Sequence, residues 1–223
     1  MGEMIDLTAS CGHIFQAYLT GDPRAPRGIV VVQEIFGVNR HMRRVCDELA
    51  GYGYQVVAPA LFDRVERGVE LGYTAADIER GLKLREPIEE AAALRDIEAA
   101  AAKLAPRPTG IIGYCWGGTI AWLGATRSKA FKAAIGWYGG GIRAARDARP
   151  NCPVQCISAP RTRAFRWPMS RLFASVTPKS RFMSMTARDM ALAARNGRAS
   201  IRARTKSPCI AASPFSRSIS PST

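Results

Sequence analysis

At 223 residues, 47% of them hydrophobic, the chain suits one domain with a full core or one domain plus a tail, and is too short for two similar domains. No apolar run approaches the ~18 residues that cross a bilayer, and the opening "MGEMIDLTASCGH" has no basic stretch followed by an apolar core, so the expectation is a soluble, cytoplasmic protein with no membrane partner. The formal charge of +14 is lopsided: residues 1–150 carry 19 Lys+Arg against 17 Asp+Glu, while residues 151–223 carry 13 against Asp189 alone, so the basicity belongs to the tail.

In chain order, "HIFQAYLTG" alternates apolar and polar residues as a half-buried strand does, and "GIVVVQEIFG" is a continuous apolar run ended by glycine, as in a strand covered on both faces. "NRHMRRVCDELAGYG" places Met42, Val45, Cys46 and Leu49 at helical spacing, and Gly51 and Gly53 stop it before the short strand "YQVVAPAL". "EPIEEAAALRDIEAAAAKLA" has the composition of a long helix. Strand "PTGIIGYC", helix "GGTIAWLGATRS" and strand "FKAAIGWYGG" follow. The alternation predicts an α/β fold, a mostly parallel sheet flanked by helices. After about Asn151 the pattern collapses: residues 151–223 hold 12 serines, 11 arginines, seven prolines and one glycine with no sustained period, so the expected division is a core over 1–155 and a poorly folded basic tail over 156–223.

Six cysteines, at 11, 46, 115, 152, 156 and 209, show no framework spacing and read as reduced thiols. Cys152 and Cys156 make at most half a metal site, and no second pair completes it. Cys115 stands apart. It lies between Gly113 and Gly117 where an apolar strand turns into a helix, the Gly-x-nucleophile-x-Gly pattern of a nucleophile elbow. A nucleophile on that corner has a strained backbone, so the residues two before and two after must be small, and the helix start aims amides and a positive dipole end at the sulfur. This predicts a stabilised thiolate. The plainer reading is a small buried cysteine. Gln33 and Glu34 close a buried strand, the place from which α/β sheets present functional groups, although a solvent-facing loop glutamate would read the same.

Taken together, "QEIFGVN", "GYGYQVVAPALFDR" and "GYCWGG", with "IGWYGGGI" after the elbow helix, resemble the dienelactone hydrolase (carboxymethylenebutenolidase) family of the α/β-hydrolase fold over residues ~5–155. By that resemblance Cys115 is the nucleophile and Glu34 the carboxylate that helps generate its thiolate when substrate arrives. The amides of Ile35 and Trp116 form the oxyanion hole, and Gly113 and Gly117 shape the elbow. The implied reaction opens a cyclic enol-lactone, or another small-molecule ester, through a thioester that water then hydrolyses. No metal or organic cofactor is implied. Arg80, Arg85 and Tyr138 are candidates to line the pocket or bind a substrate carboxylate.

The family completes its triad with an aspartate and a histidine C-terminal to the nucleophile. The two histidines of this chain, His13 and His41, both precede it, and Asp189 lacks the family's surroundings. The chain as written is therefore expected to be inactive. His41 is left at most a supporting role. Suitable codons for "CISAPRTRAFRWPMSRLFASV", read one base earlier, spell "LHFGAKDARIPMADVAAIRER", the family's continuation. The same shift turns "MSMTARDMALAARNGRAS" into a segment with the family's Gly-His-Gly-Phe. The absent aspartate then straddles Arg161 and Thr162, and the absent histidine Asp189 and Met190. A frameshift near Gln155 and Cys156 is the expectation. Two other readings are a basic-tailed nucleic-acid-binding protein on a degenerate hydrolase scaffold, with arginines among Phe165, Trp167, Phe173 and Phe182, and a thiol-reactive role for Cys115 alone.

Overall fold

The structure, a computed structural model, describes residues 2–158 and 181–184. Eight strands form one sheet in the order β1-β2-β4-β3-β5-β6-β7-β8. They are β1 (Glu3–Thr8), β2 (Ile14–Thr20), β3 (Arg27–Val32), β4 (Tyr54–Pro59), β5 (Thr109–Tyr114), β6 (Phe131–Trp137), β7 (Val154–Ser158) and β8 (Arg181–Ser184). β2 lies antiparallel to β1 and β4, and the remaining pairs run parallel. The helices are α1 (Arg40–Gly51), α2 (Ala75–Arg85), α3 (Glu90–Lys103) and α4 (Trp116–Arg127).

Alternation along the central strands assigns the two faces. Ile29 and Val31 of β3 join Val56 and Ala58 of β4 against Met42, Val45, Cys46 and Leu49 of α1, the four positions whose spacing predicts that helix. Val30 and Val32, one residue out of phase, join Val57 and the buried faces of α3 and α4, including Ala93, Ile97, Ile120 and Leu123. At the centre of that larger core Trp122 is 1% exposed and satisfies its indole by donating Nε1–H to Ala145 O at 3.0 Å.

Several boundaries differ from the sequence expectation. β3 stops at Val32, because Gln33 is 0% exposed and accepts from Leu61 N–H at 3.0 Å through Oε1, which turns the chain out of the ladder. β4 stops at Pro59, and Leu61–Arg64 wind into a single 3-10 turn. Neither β1 nor α2 was expected. α2 carries only a weak apolar face and is set by a capping box, with the Thr74 hydroxyl accepting from Asp77 N–H and the Asp77 carboxylate accepting from Thr74 N–H. β7 crosses the anticipated boundary at residue 155: Cys156 and Ile157 are buried and β7 pairs along both edges. Beyond β7 only Arg181–Ser184 lies among the described residues; the remainder of the tail, 159–180 and 185–223, including Arg161, Thr162, Asp189, Met190 and Cys209, lies outside them.

Candidate active site

Cys115 sits between the last residue of β5 and the first of α4 with φ 54 and ψ −117, a conformation that L side chains rarely adopt. Its N–H donates to Trp137 O at 2.9 Å, and its carbonyl accepts from Gly118 N–H at 3.0 Å, so one residue ends the strand and starts the helix. The flanking glycines have specific steric causes. A Cβ on Gly113 would run into the Gly117 carbonyl, and one on Gly117 would strike the carbonyl oxygens of Val32 and Gln33 at the end of β3. The corner thus packs directly on the segment that carries Glu34.

Glu34 follows Gln33 at that strand end. Its Oε1 accepts from the Tyr138 hydroxyl at 3.0 Å and its Oε2 from the Tyr73 hydroxyl at 3.3 Å. Burial pushes the Glu34 carboxyl above the usual carboxylate range, against the phenol of Tyr138, the His41 charge and the phenol of Tyr73, which pull it down. Cys115 is half-buried, and its thiol is pushed up, first by burial and then by the Glu34 charge; the Trp116 amide and Arg85 oppose this without prevailing. The helix-end amide lowers the thiol, as the helix start leads one to expect, while desolvation and a neighbouring carboxylate act against it and outweigh it.

Ile35 and Trp116, the two amide donors suggested by sequence, stand immediately after Glu34 and Cys115, and both side chains are buried. Trp116 N–H is in the first turn of α4, where no carbonyl of its own helix can receive it. His41 lies on α1 with its ring edge-on to Tyr73, centroids 6.2 Å apart, so it borders the site through that tyrosine. His13 is remote, stacked on Phe15 at 5.9 Å. Arg80 is engaged with Glu66 at 2.5 Å. Arg85 and Lys83 line a pocket of about 480 Å³ with Glu79, Glu86, Glu90 and Trp116, and neither Cys115 nor Glu34 is among its lining residues. Tyr73 is the residue that sequence reasoning missed, since "GYT" before α2 carries no periodic or motif signal. Among the described residues no three His, Cys, Asp or Glu side chains gather as a metal ion would need, and no helix is long and apolar enough to cross a membrane. The aromatic and basic residues behind a nucleic-acid reading, Phe165 to Phe182, lie outside the described side chains.

The sequence model of the dienelactone hydrolase family matches residues 15–174. A Synechocystis sp. relative is 42% identical over 120 residues, covering 51% of this chain and 48% of its own. The carboxymethylenebutenolidase of Pseudomonas putida is 34% identical over 147 residues, covering 63% of this chain and 62% of that protein. The chain thus spans about half to three-fifths of the length of these curated relatives. Among solved structures, a dienelactone hydrolase-like promiscuous phosphotriesterase from metagenomic libraries superposes with a TM-score of 0.66 at 18% identity, covering 84% of this chain and 82% of that one, which extends the likeness in fold.

Proposed function

Because the chain belongs to the dienelactone hydrolase family, we propose that it carries the acyl-transfer half of an ester or lactone hydrolase, with Cys115 as nucleophile and Glu34 as the group that receives the thiol proton. Sulfur attacks the carbonyl carbon of a small ester or enol-lactone, and the bond to the leaving oxygen breaks to give a thioester on Cys115. The amides of Ile35 and Trp116 receive the negative charge that develops on the carbonyl oxygen. Arg85, whose charge acts on Cys115, is the candidate cation for a substrate carboxylate, in a pocket that also holds Lys83 and three glutamates. The observation that carries this reading is the left-handed Cys115 at the strand-to-helix corner, packed on the end of β3 where Glu34 is held.

Hydrolysis of the thioester needs a base for water, and this chain has no histidine after Cys115. Acylation without turnover is the expected behaviour; a change of reading frame near Gln155 would account for the missing histidine, although the family match runs on to residue 174.

The test is exposure of the chain to an activated ester and to a cyclic enol-lactone, followed by intact and peptide mass spectrometry. The reading requires one acyl group on Cys115, absent from Cys115→Ala, with no steady-state product release. A version with the reading frame restored after Gln155 should turn over. Acylation that is equal in Cys115→Ala, or confined to another cysteine, overturns the assignment.

A further inference from the structure

The turn that joins β1 to β2 carries a thiol placed unlike that of Cys115. Cys11 is exposed, in a tight reversal closed by Ala9 N–H on His13 O at 2.9 Å and by Gly12 N–H on Ala9 O at 2.8 Å. The reversal sets its sulfur against donors drawn from three parts of the chain. Arg64, in the 3-10 turn after β4, donates Nη2–H to Sγ at 3.6 Å, and Arg95 of α3 and the backbone N–H of His13 also donate to it. Arg64 is held in place, because the same guanidinium grips buried Asp96 through Nε and Nη2, both at 2.7 Å. Two side-chain atoms of this group, Arg95 Nε and His13 Nε2, are buried without a hydrogen-bond partner among the described residues. Polar atoms sealed from water and left unpaired are rare in folded chains, and both belong to residues that already contact Cys11 Sγ. The other charges around the turn pair with one another: Arg67 lies 3.7 Å from Asp6 and 3.9 Å from Asp63.

We propose that Cys11 is a redox modification site for small hydroperoxides, at which a thiolate held by Arg64, Arg95 and the His13 amide becomes a sulfenic acid. The sulfur attacks one peroxide oxygen. The S–O bond forms as the O–O bond breaks, and the distal oxygen leaves as hydroxide, or as alkoxide from an organic peroxide, and takes a proton from water. Sulfur gives up two electrons and the peroxide accepts them, so no further reactant is consumed. The arginines act at both ends of the step: their N–H groups stabilise the thiolate before attack and then meet the charge that develops on the leaving oxygen. The product brings an oxygen acceptor beside this cluster, where Arg95 Nε and His13 Nε2 have no partner to give up. In keeping with that geometry the Cys11 thiol is held down to about 7, by the His13 amide first and Arg64 next, with desolvation opposing and Arg95 adding to the fall. Burial instead pushes the thiols of Cys46, Cys115, Cys152 and Cys156 up. Among the described cysteines, an oxidant therefore finds its thiolate at Cys11.

The experiment treats the full chain, and Cys115→Ala beside it, with hydrogen peroxide in the presence of dimedone, and reads the adduct at each cysteine by peptide mass spectrometry. The adduct should form at Cys11 before Cys46, Cys115, Cys152 or Cys156, and at the same rate in both chains, since nothing at this turn depends on the nucleophile corner. Iodoacetamide labelling of Cys11 across pH is the second readout. Relative to the same chain in urea, a lowered thiol gains thiolate but loses intrinsic nucleophilicity, so native labelling should be about threefold faster at neutral pH and about fivefold faster near pH 5.5. Arg95→Gln, which leaves the Arg64–Asp96 pair intact, should move the labelling midpoint upward, and Arg95→Lys should bring it part of the way back. A folding defect would not produce a shift that a second cation reverses. A native rate no greater than that in urea, or a dimedone adduct that forms at any of those four cysteines before Cys11, overturns the site. So does an unchanged midpoint in an Arg95→Gln chain whose near-ultraviolet circular dichroism matches the parent. Should Arg95→Gln fail to fold, the ratio of native to urea labelling in the parent decides the matter by the same criterion.

Discussion

The end of β3 and the inner face of α3 each take a carboxylate out of water, and each answers it differently. Asp96 on α3 has a side chain 0% exposed and is met by the Arg64 guanidinium in a two-pronged bond, 2.7 Å from Nε and 2.7 Å from Nη2. Glu34 is met by two neutral phenols and no cation within ion-pair distance among the described residues. Burial pushes both carboxyls upward, but at Asp96 the first counterweight is Arg64, whereas at Glu34 it is the Tyr138 hydroxyl. A guanidinium fixes charge and geometry together. Phenols fix geometry and leave the proton affinity within reach of a neighbour, which is what a proton acceptor needs and a structural anchor does not.

The contrast is broken most directly at its structural end. Asp96→Ala leaves Arg64, only 14% exposed, without its carboxylate and should cost about 3–5 kcal/mol in urea unfolding, the usual penalty for stranding one member of a buried ion pair. Among the described residues Arg64 would retain its contact with Cys11 Sγ at 3.6 Å. A loss below about 1 kcal/mol would mean that water reaches the pair, and the distinction between the two carboxylates would fail.

At the other end, Asn39 sharpens the comparison because it fastens the site's surroundings without touching its carboxylate. Its Oδ1 caps α1 by accepting from Met42 N–H at 3.1 Å, and its Nδ2 donates to Leu71 O at 2.9 Å on the segment that brings in Tyr73. Both groups are buried. Asn39→Ala should cost about 1–2 kcal/mol, the sum expected for a lost cap and a stranded carbonyl. A stability change of a few tenths would show that α1 and the Tyr73 segment are held by other means.

How much of this was visible in the residues follows from which interactions are local. The spacing of Met42, Val45, Cys46 and Leu49 names the buried face of α1, and all four are buried. The glycine pair around Cys115 points to the corner, because the steric demand that selects glycine acts within five residues and against one strand end. α2 was invisible, since its start depends on a Thr74 to Asp77 capping box rather than on apolar periodicity. Tyr73 was invisible because its partner lies 39 residues away and a lone tyrosine in a loop carries no register. The balance at the Cys115 thiol is only half local. The helix start is written in the local sequence, but the desolvation and the Glu34 charge that outweigh it arise only when the fold brings β3 alongside β5.

The smallest expected effect concerns Glu34 itself. The Glu34 carboxyl is raised in the folded chain and ordinary in the unfolded one, so the folded state binds that proton more tightly. Below the ordinary carboxylate range both states hold the proton and burial imposes no electrostatic penalty. As pH rises through the raised folded value, the folded chain must ionise a group held out of water, and stability is lost. Glu34→Gln keeps the shape and never ionises, so it should stabilise the chain by about 1 kcal/mol at neutral pH and above, and the gain should fade as the pH drops into the acid range. Thermal melts of both chains across that range measure it. A gain that does not vary with pH would place its origin in packing, and a loss at neutral pH would mean that the two phenols satisfy the carboxylate fully. If the gain appears alongside a failure to acylate Cys115, the end of β3 keeps a destabilising acid for its chemistry, where the inner face of α3 keeps an ionised one for its support.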